Sequence, residues 1–123
     1  VDTNVLVRLL TGDDAKQTAA AEAFVAGGAW VSLLVLAETV WVLSAVYDRK
    51  DAALADSIDM LLKPRDLTLQ DPDVVAAALI HYRNRPAIGF SDCLVLEIAR
   101  KNGHLPLGTF DRELGKIEGA QRL

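Results

Sequence analysis

The chain has 123 residues, of which 51% are hydrophobic and 24% are charged. This length and balance predict one globular domain over residues 1–123 and exclude a disordered tail. The 13 basic and 17 acidic residues give a net charge of −4, which disfavours a nucleic-acid binder that works by bulk positive charge. An acidic protein can still act on phosphodiesters if some of its carboxylates hold metal ions.

The sequence also indicates where the protein works. Its single cysteine, Cys93, excludes an internal disulfide framework and favours a reducing compartment. No stretch reaches the ~18 consecutive apolar residues of a membrane span. Asp2 and Arg8 interrupt what would be the apolar stretch of a signal peptide. We therefore expect a cytoplasmic protein that is not bound to a membrane.

Strand and helix signals alternate along the first half of the chain. The predicted elements begin with a short strand at residues 1–3 and a helix at 4–10. After a turn at 11–14 come a second helix that ends at 26, a buried strand at 29–32, and helices at 33–48 and 51–62. Asp13 or Asp14 is the expected cap of the second helix. The glycine pair at 27–28 ends that helix.

The second half continues the alternation. The predicted elements are a strand at residues 66–70, a helix from 71–72 to near 85, a helix at 91–102, a strand at 105–109, a helical turn at 111–115 and a short strand at 120–123. Such alternation predicts a parallel sheet with helices on both faces. Ligands of such sheets bind at the carboxyl ends of the strands.

Four acidic residues lie at strand ends, at a helix start or within an apolar helix, where a carboxylate is costly unless it has a structural or chemical role. Asp2 follows the first predicted strand, Asp92 opens a helix, and Asp111 lies between a strand and a helical turn. Glu38 lies in a helix that is apolar on nearly every face, within the stripe Leu34, Glu38, Trp41 and Ala45, and this pattern predicts burial. Ordinary structural roles remain open, namely helix caps, a first-turn acid, and a gap in the apolar surface.

Carboxylates that share a small pocket repel one another and raise one another's pKa values. Oxygen ligands of this kind suit a hard divalent cation such as Mg²⁺ or Mn²⁺, which removes the repulsion. His81 and His104 are too few and too scattered for a zinc site, so we interpret them as structural residues. The sequence therefore predicts that the four acids converge on metal ions.

Four segments, VDTNVLVR, LAETVWVL, FSDCLVLEIAR and TFDREL, resemble the PIN-domain family in their order and spacing, and most of all the VapC-type toxins of bacterial toxin–antitoxin pairs. The resemblance implies a three-layer α/β/α sandwich with a central, mostly parallel sheet. It also implies a Mg²⁺- or Mn²⁺-dependent endoribonuclease that forms homodimers and is inhibited by a small antitoxin protein blocking the acidic pocket. The acidic quartet of the family matches Asp2, Glu38, Asp92 and Asp111.

Two polar residues have supporting roles by the same resemblance. Thr109 matches a hydroxyl residue that orients a ligand or a water molecule, and Asn4 matches a polar residue that supports the first acid. The expected chemistry is hydrolysis of an RNA phosphodiester with two cations, which leaves a 5′-phosphate and a 3′-hydroxyl. Asp2 and Asp111 are the expected direct ligands, and Glu38 and Asp92 bind directly or through water.

Other residues receive weaker predictions. The candidates for contacts with substrate phosphates are Arg8, Arg83, Arg85, Arg112 and Lys116. Solvated charges on helix faces are the alternative explanation for each of them. Trp30 and Trp41 are expected in the core or in a dimer interface. The amphipathic helix at 51–62 either packs in the core or holds an antitoxin helix.

Three other functions compete with this hypothesis. A receiver-type phosphorylation module needs a lysine soon after a late strand, and none follows residues 105–109 closely. A phosphatase of the haloacid dehalogenase type needs a second acid where Asn4 stands, and an amide cannot act as acid or base. A PIN-like subunit that binds without cutting is the third alternative.

Overall fold

Helices alternate with four three-residue strands along residues 1–123, all of which the computed structural model describes. The chain divides into two units, Val1–Pro72 and Asp73–Leu123. The elements of the first unit are α1 (Thr3–Thr11), α2 (Ala15–Ala26), β1 (Ala29–Val31), α3 (Leu33–Ala45), α4 (Asp51–Leu62) and β2 (Leu67–Leu69). None of the helices in the protein has the length and apolar content needed to span a membrane.

The second unit is built in the same way. Its elements are α5 (Pro72–Asn84, which begins at the boundary), a 3₁₀ turn at Pro86–Ile88, α6 (Phe90–Lys101), β3 (Leu107–Thr109), a 3₁₀ turn at Leu114–Lys116 and β4 (Ala120–Arg122). In its core the rings of Tyr82 and Phe90 pack edge to face, with centroids 5.9 Å apart. The predicted alternation of helices and strands is confirmed.

The strands pair in parallel, as predicted. β1 pairs with β2 from Ala29 opposite Leu67 to Val31 opposite Leu69. β3 pairs with β4 in the same sense, and the two pairs are separate two-stranded sheets. Parallel neighbours need a long crossover between them, which α3 and α4 supply for the first pair. The α/β class predicted from the sequence is confirmed.

Side-chain caps begin three of the four helices of the first unit, α1, α2 and α3. Asp14, rather than Asp13, caps α2, because its carboxylate accepts a hydrogen bond of 2.9 Å from the amide of Gln17. The hydroxyl of Ser32 caps α3 in the same way. Gly12 ends α1 with a φ of 63°, a backbone conformation in which glycine is not strained.

The strand predicted at residues 1–3 does not form. Thr3 is already the first residue of α1, and Asp2 is its cap. The backbone nitrogen of Val1 donates a hydrogen bond of 2.9 Å to the carbonyl oxygen of Trp30 in β1. Asp2 still has an extended backbone, with φ −94° and ψ 178°, and the helix begins at the next residue.

α3 exposes the face on which Glu38 lies. Leu34 is 77% exposed, and Glu38 and Trp41 are exposed on the same face. The buried residues of the helix are Leu36, Thr39, Val40 and Leu43. The prediction that the stripe through Glu38 is buried is therefore wrong. Because this helix is apolar on nearly every side, hydropathy cannot identify its buried face.

The structure shows whether the two tryptophans and α4 are buried. Trp30 and Trp41 are both exposed, so of the two places expected for them the core is excluded, and the dimer interface stays a prediction. α4 buries one face in the first unit, through Leu54, Ala55, Ser57, Ile58 and Leu61. Of the two roles considered for this helix, packing in the core is the observed one.

The orientation of α3 can be tested with a matched pair of leucines. We expect Leu36→Ala to lower the free energy of unfolding by about 2–5 kcal/mol, because Leu36 is 1% exposed and its removal leaves a cavity. Leu34→Ala removes the same atoms from an exposed position and should change stability by about 0.5 kcal/mol or less. Urea unfolding of the two variants measures the difference, and equal effects would contradict the assigned face.

Candidate active site

Asp2 is held at the start of α1. Its Oδ1 atom accepts a hydrogen bond of 3.1 Å from the amide of Val5, so the residue is a helix cap and remains exposed. It lines a groove of about 460 Å³ that also contains Asn4, Arg8 and Phe24. The cap orients the carboxylate and occupies one of its two oxygens.

Glu38 projects from the exposed face of α3. It lies about one helical turn after Leu34 and one turn before Trp41, both of which are exposed apolar residues. The carboxylate is therefore accessible to solvent and to ions. Asp2 and Glu38 both belong to the first unit, Val1–Pro72.

The carboxylates of Asp92 and Asp111, both in the second unit, interact electrostatically. Asp92 lies in the first turn of α6, and Asp111 follows β3. Partial burial raises the pKa of the Asp92 carboxyl above its usual value, and the negative charge of Asp111 raises it further. Of the four predicted acids, these two are brought together by the structure. A carboxyl group whose ionisation is opposed by a neighbouring carboxylate favours a divalent cation between the two.

The segment after β3 holds Asp111 by three hydrogen bonds. The hydroxyl of Thr109 accepts from the amide of Asp111, at 3.0 Å. The Oδ1 atom of Asp111 accepts from the amide of Leu114, at 2.7 Å, and its carbonyl oxygen accepts from the amide of Gly115. Thr109 therefore positions the acid through the backbone, and the role of its hydroxyl in orienting a ligand or a water molecule stays a prediction.

Arg8, a predicted phosphate contact, already has partners. Its guanidinium donates to Gln17 at 2.7 Å, to Asp13 at 3.0 Å and to the hydroxyl of Tyr47 at 3.2 Å. Tyr47 also donates to Asp13, and this hydrogen bond is the main cause that lowers the pKa of the Asp13 carboxyl. A phosphate would have to compete with Asp13 for Arg8.

The other basic candidates, in the second unit, differ in how far they are neutralised. Arg85 and Lys116 both pair with Glu113, at 3.5 and 3.1 Å. Surface pairs of this kind are weak and can be displaced. Arg112 is exposed and forms no ion pair. Arg83 is exposed on α5. Arg112 therefore offers the least neutralised charge in this group.

A buried carboxylate outside the predicted quartet holds α6 in place. Glu97 is 7% exposed, accepts two hydrogen bonds from Nε of Arg100, and lies 3.4 Å from Nε2 of His81 on α5. Arg100 also donates to the carbonyl oxygen of Glu118. This cluster ties together the elements around the helix that carries Asp92. Glu97 was not predicted from the sequence, although a glutamate among apolar residues, three positions before an arginine, was a usable signal.

The thiol of Cys93 is poorly suited to act as a nucleophile. The residue is buried in α6, directly after Asp92. Burial raises the pKa of the Cys93 thiol to about 11, and the charges of Asp92 and Glu97 add to the shift. The thiol is therefore protonated at neutral pH, and a protonated thiol is a poor nucleophile.

Within either unit, no group of three or more histidine, cysteine, aspartate or glutamate side chains is placed to hold a metal ion. Each unit contributes two of the four predicted acids. The convergence of all four acids therefore stays a prediction.

Comparison with known proteins identifies the family. The sequence matches the PIN domain family over residues 1–120. The chain belongs to this family. The match includes all four acids of the predicted quartet, together with Asn4 and Thr109. PIN domains are typically metal-dependent nucleases, so the family indicates a nuclease-type function in general. No curated protein and no solved structure matches the chain. The receiver-type and phosphatase alternatives do not describe this PIN domain.

The cap at the start of α1 separates the structural and chemical roles of Asp2 in the PIN domain. We expect Asp2→Ala to lower the free energy of unfolding by about 1 kcal/mol, because the amide of Val5 loses its acceptor. Asp2→Asn keeps an oxygen at this position, and asparagine caps as well as aspartate, so its stability should equal that of the unsubstituted protein. Thermal unfolding without divalent cations measures both, and an equal loss in the two variants would contradict the cap.

The raised pKa of Asp92 in the PIN domain predicts a pH dependence of stability. Below about pH 4, Asp92 is protonated in the folded and unfolded states, so ionisation of this group costs nothing. As the pH rises through the raised folded-state pKa, ionisation destabilises the fold relative to the unfolded chain. Asp92→Asn should therefore match the unsubstituted protein near pH 3.5 and exceed it in stability at neutral pH. Urea titrations in EDTA at several pH values measure the difference; a stability deficit of the variant at neutral pH would refute the assignment.

Proposed function

We propose that the protein is a metal-dependent endoribonuclease that hydrolyses RNA phosphodiester bonds, as the toxin of a VapBC-type toxin–antitoxin pair. The observation that carries this proposal is the match to the PIN domain family over residues 1–120. The presence of all four acids of the family quartet supports catalysis over a subunit that only binds. The pairing of Asp92 with Asp111 adds support from the second unit.

The donor set fits a hard divalent cation. The proposed ligands of Mg²⁺ or Mn²⁺ are the carboxylates of Asp2, Glu38, Asp92 and Asp111. All four residues are exposed and therefore accessible to ions. Oxygen ligands alone favour Mg²⁺ or Mn²⁺ over zinc. When two cations are bound, they supply an activated water and stabilise the charge on the leaving oxygen.

The residues of the chain provide the fixed geometry that the reaction needs. Asp2 and Asp111 each use Oδ1 in a backbone hydrogen bond, which holds the carboxylate and leaves Oδ2 for a cation. Thr109 fixes the backbone at Asp111. Asn4 lines the same groove as Asp2, in agreement with a supporting role. Arg112 is the preferred phosphate contact, because its charge is not already paired; Arg8 and Lys116 contact phosphate only if they leave Asp13 and Glu113.

RNA, a small antitoxin and a second copy of the chain are the proposed partners. Exposed large apolar side chains mark surfaces that partners cover. Trp30 and Trp41 are exposed in the first unit, which supports their proposed place in a homodimer interface. The antitoxin is proposed to block the acidic pocket, so it should compete with RNA and with divalent cations.

The nuclease hypothesis is tested with single-stranded RNA and two acid-to-amide variants. We expect cleavage in Mg²⁺ or Mn²⁺ and none in EDTA. Asp2→Asn and Asp92→Asn should slow cleavage by about 100-fold or more, because even the outer partners of a metal ion account for 10–100-fold. Gel electrophoresis measures the rate, and mass spectrometry of the products should find a 5′-phosphate and a 3′-hydroxyl.

Glu22→Gln is the matched control for these variants. Glu22 is exposed on α2 and does not line the groove that contains Asp2, so this substitution makes the same charge change outside the quartet and should leave the rate unchanged. Parallel purification of all variants excludes a contaminating nuclease. Full activity in both amide variants, or in EDTA, would refute the mechanism. RNA binding without cleavage would favour the non-catalytic PIN subunit.

A further inference from the structure

Phe110 is exposed beyond any other large apolar side chain of the protein. Its side chain is 80% exposed, and it lies between Thr109 and Asp111 in the segment that follows β3. A phenyl ring in water forgoes the free energy that its burial would release. The ring is also one residue from a proposed catalytic acid, about 3.8 Å along the chain between Cα atoms. This position marks Phe110 as a contact for whatever reaches Asp111.

The backbone on both sides of the ring is held by hydrogen bonds. Before it, the carbonyl oxygen of Thr109 accepts from the amide of Leu123 at 2.8 Å. After it, Asp111 is bonded through its amide, carboxylate and carbonyl groups. Phe110 is thus presented from a segment that is ordered before any ligand binds. A preorganised contact loses little conformational entropy on binding, which favours a specific role.

The residues next to Phe110 in the sequence are polar or charged. Thr109, Asp111 and Arg112 flank it in sequence, and Arg112 has no carboxylate partner. The core of a protein–protein interface is depleted in charged residues, so these neighbours do not favour a protein partner. An aromatic ring beside an unpaired cation is instead the combination that binds single-stranded nucleic acid, where the ring stacks on a base and the cation meets a phosphate.

We propose that Phe110 stacks on a base of the RNA substrate, at a nucleotide that flanks the phosphodiester to be cut. The proposal rests on the endoribonuclease function proposed above and names the residue that fixes the strand relative to Asp111. Stacking accepts every base, because each has a π face. Phe110 therefore contributes affinity and position, and only a modest preference for sequence.

The test compares Phe110→Ala with Phe110→Tyr and a control. Alanine should raise KM for single-stranded RNA, and Kd measured by fluorescence anisotropy in an Asp92→Asn background, by about 10-fold, within a range of 5- to 100-fold. We expect kcat to change by less than about twofold, because the ring does not touch the reacting atoms. Tyrosine keeps the aromatic face and should restore both constants.

Ile80→Ala is the control, because Ile80 is an exposed apolar residue of α5 in the same unit and has no assigned function. It should leave KM and Kd unchanged. Urea unfolding should find all three variants as stable as the unsubstituted protein, because both side chains are exposed.

A scan with abasic nucleotides locates the contact. In a set of RNAs that each lack one base near the cut site, we expect one that the unsubstituted protein binds about 10-fold more weakly than intact RNA. The Phe110→Ala variant should bind that RNA as tightly as it binds intact RNA. This loss of coupling requires that the ring and that base touch each other.

Each other outcome overturns the proposal. If Phe110→Ala cleaves and binds RNA like Ile80→Ala, the ring does not contact the substrate, although the nuclease function stands. If the substitution changes only the sedimentation of the protein, Phe110 belongs to an interface between copies. If the unsubstituted protein neither cuts nor binds RNA in Mg²⁺ or Mn²⁺, the nuclease function fails and stacking fails with it.

Discussion

The hydrogen bond from a backbone amide to an aspartate at the start of a helical segment is the interaction on which the candidate site depends. It occurs at Asp2 and at Asp111, and it fixes each carboxylate relative to its own helical turn. Sequence reasoning treats a cap and a metal ligand as alternatives for such a residue. The structure makes them compatible, because the cap uses one oxygen and a cation needs only the other. Order in these side chains is thus provided by local backbone structure, and it does not require a large core.

Much of the fold could be predicted because its signals are local. The caps at Asp14 and Ser32 and the helix end at Gly12 place most boundaries of the first unit within a few residues. The strand expected at residues 1–3 is absent, because α1 already begins at Thr3 and Asp2 is its cap. The prediction of the buried face of α3 was wrong for a different reason. With apolar residues on nearly every side, only tertiary packing decides which of them meet solvent, and that information is not in the periodicity.

The candidate site could be predicted in its residue types and only partly in its arrangement. Family motifs identified the four acids. The electrostatic interaction of Asp92 with Asp111 follows from their places, Asp92 at the start of α6 and Asp111 after β3. What each basic residue does could not be predicted, because charge pairing depends on neighbours distant in sequence. Arg8 is neutralised by Asp13, which also accepts a hydrogen bond from Tyr47, a residue 39 positions from Arg8. Glu97 was missed because its burial depends on Arg100 and His81 together.

The position of Cys93 gives the protein a built-in reporter. The thiol is buried and protonated at neutral pH, and it adjoins Asp92 on α6. Alkylating reagents need an accessible thiolate, so they can react only when the helix opens far enough to admit water. The rate of thiol labelling therefore follows local unfolding around one proposed ligand. Because the sequence has no second cysteine, this signal arises from a single place and needs no engineered probe.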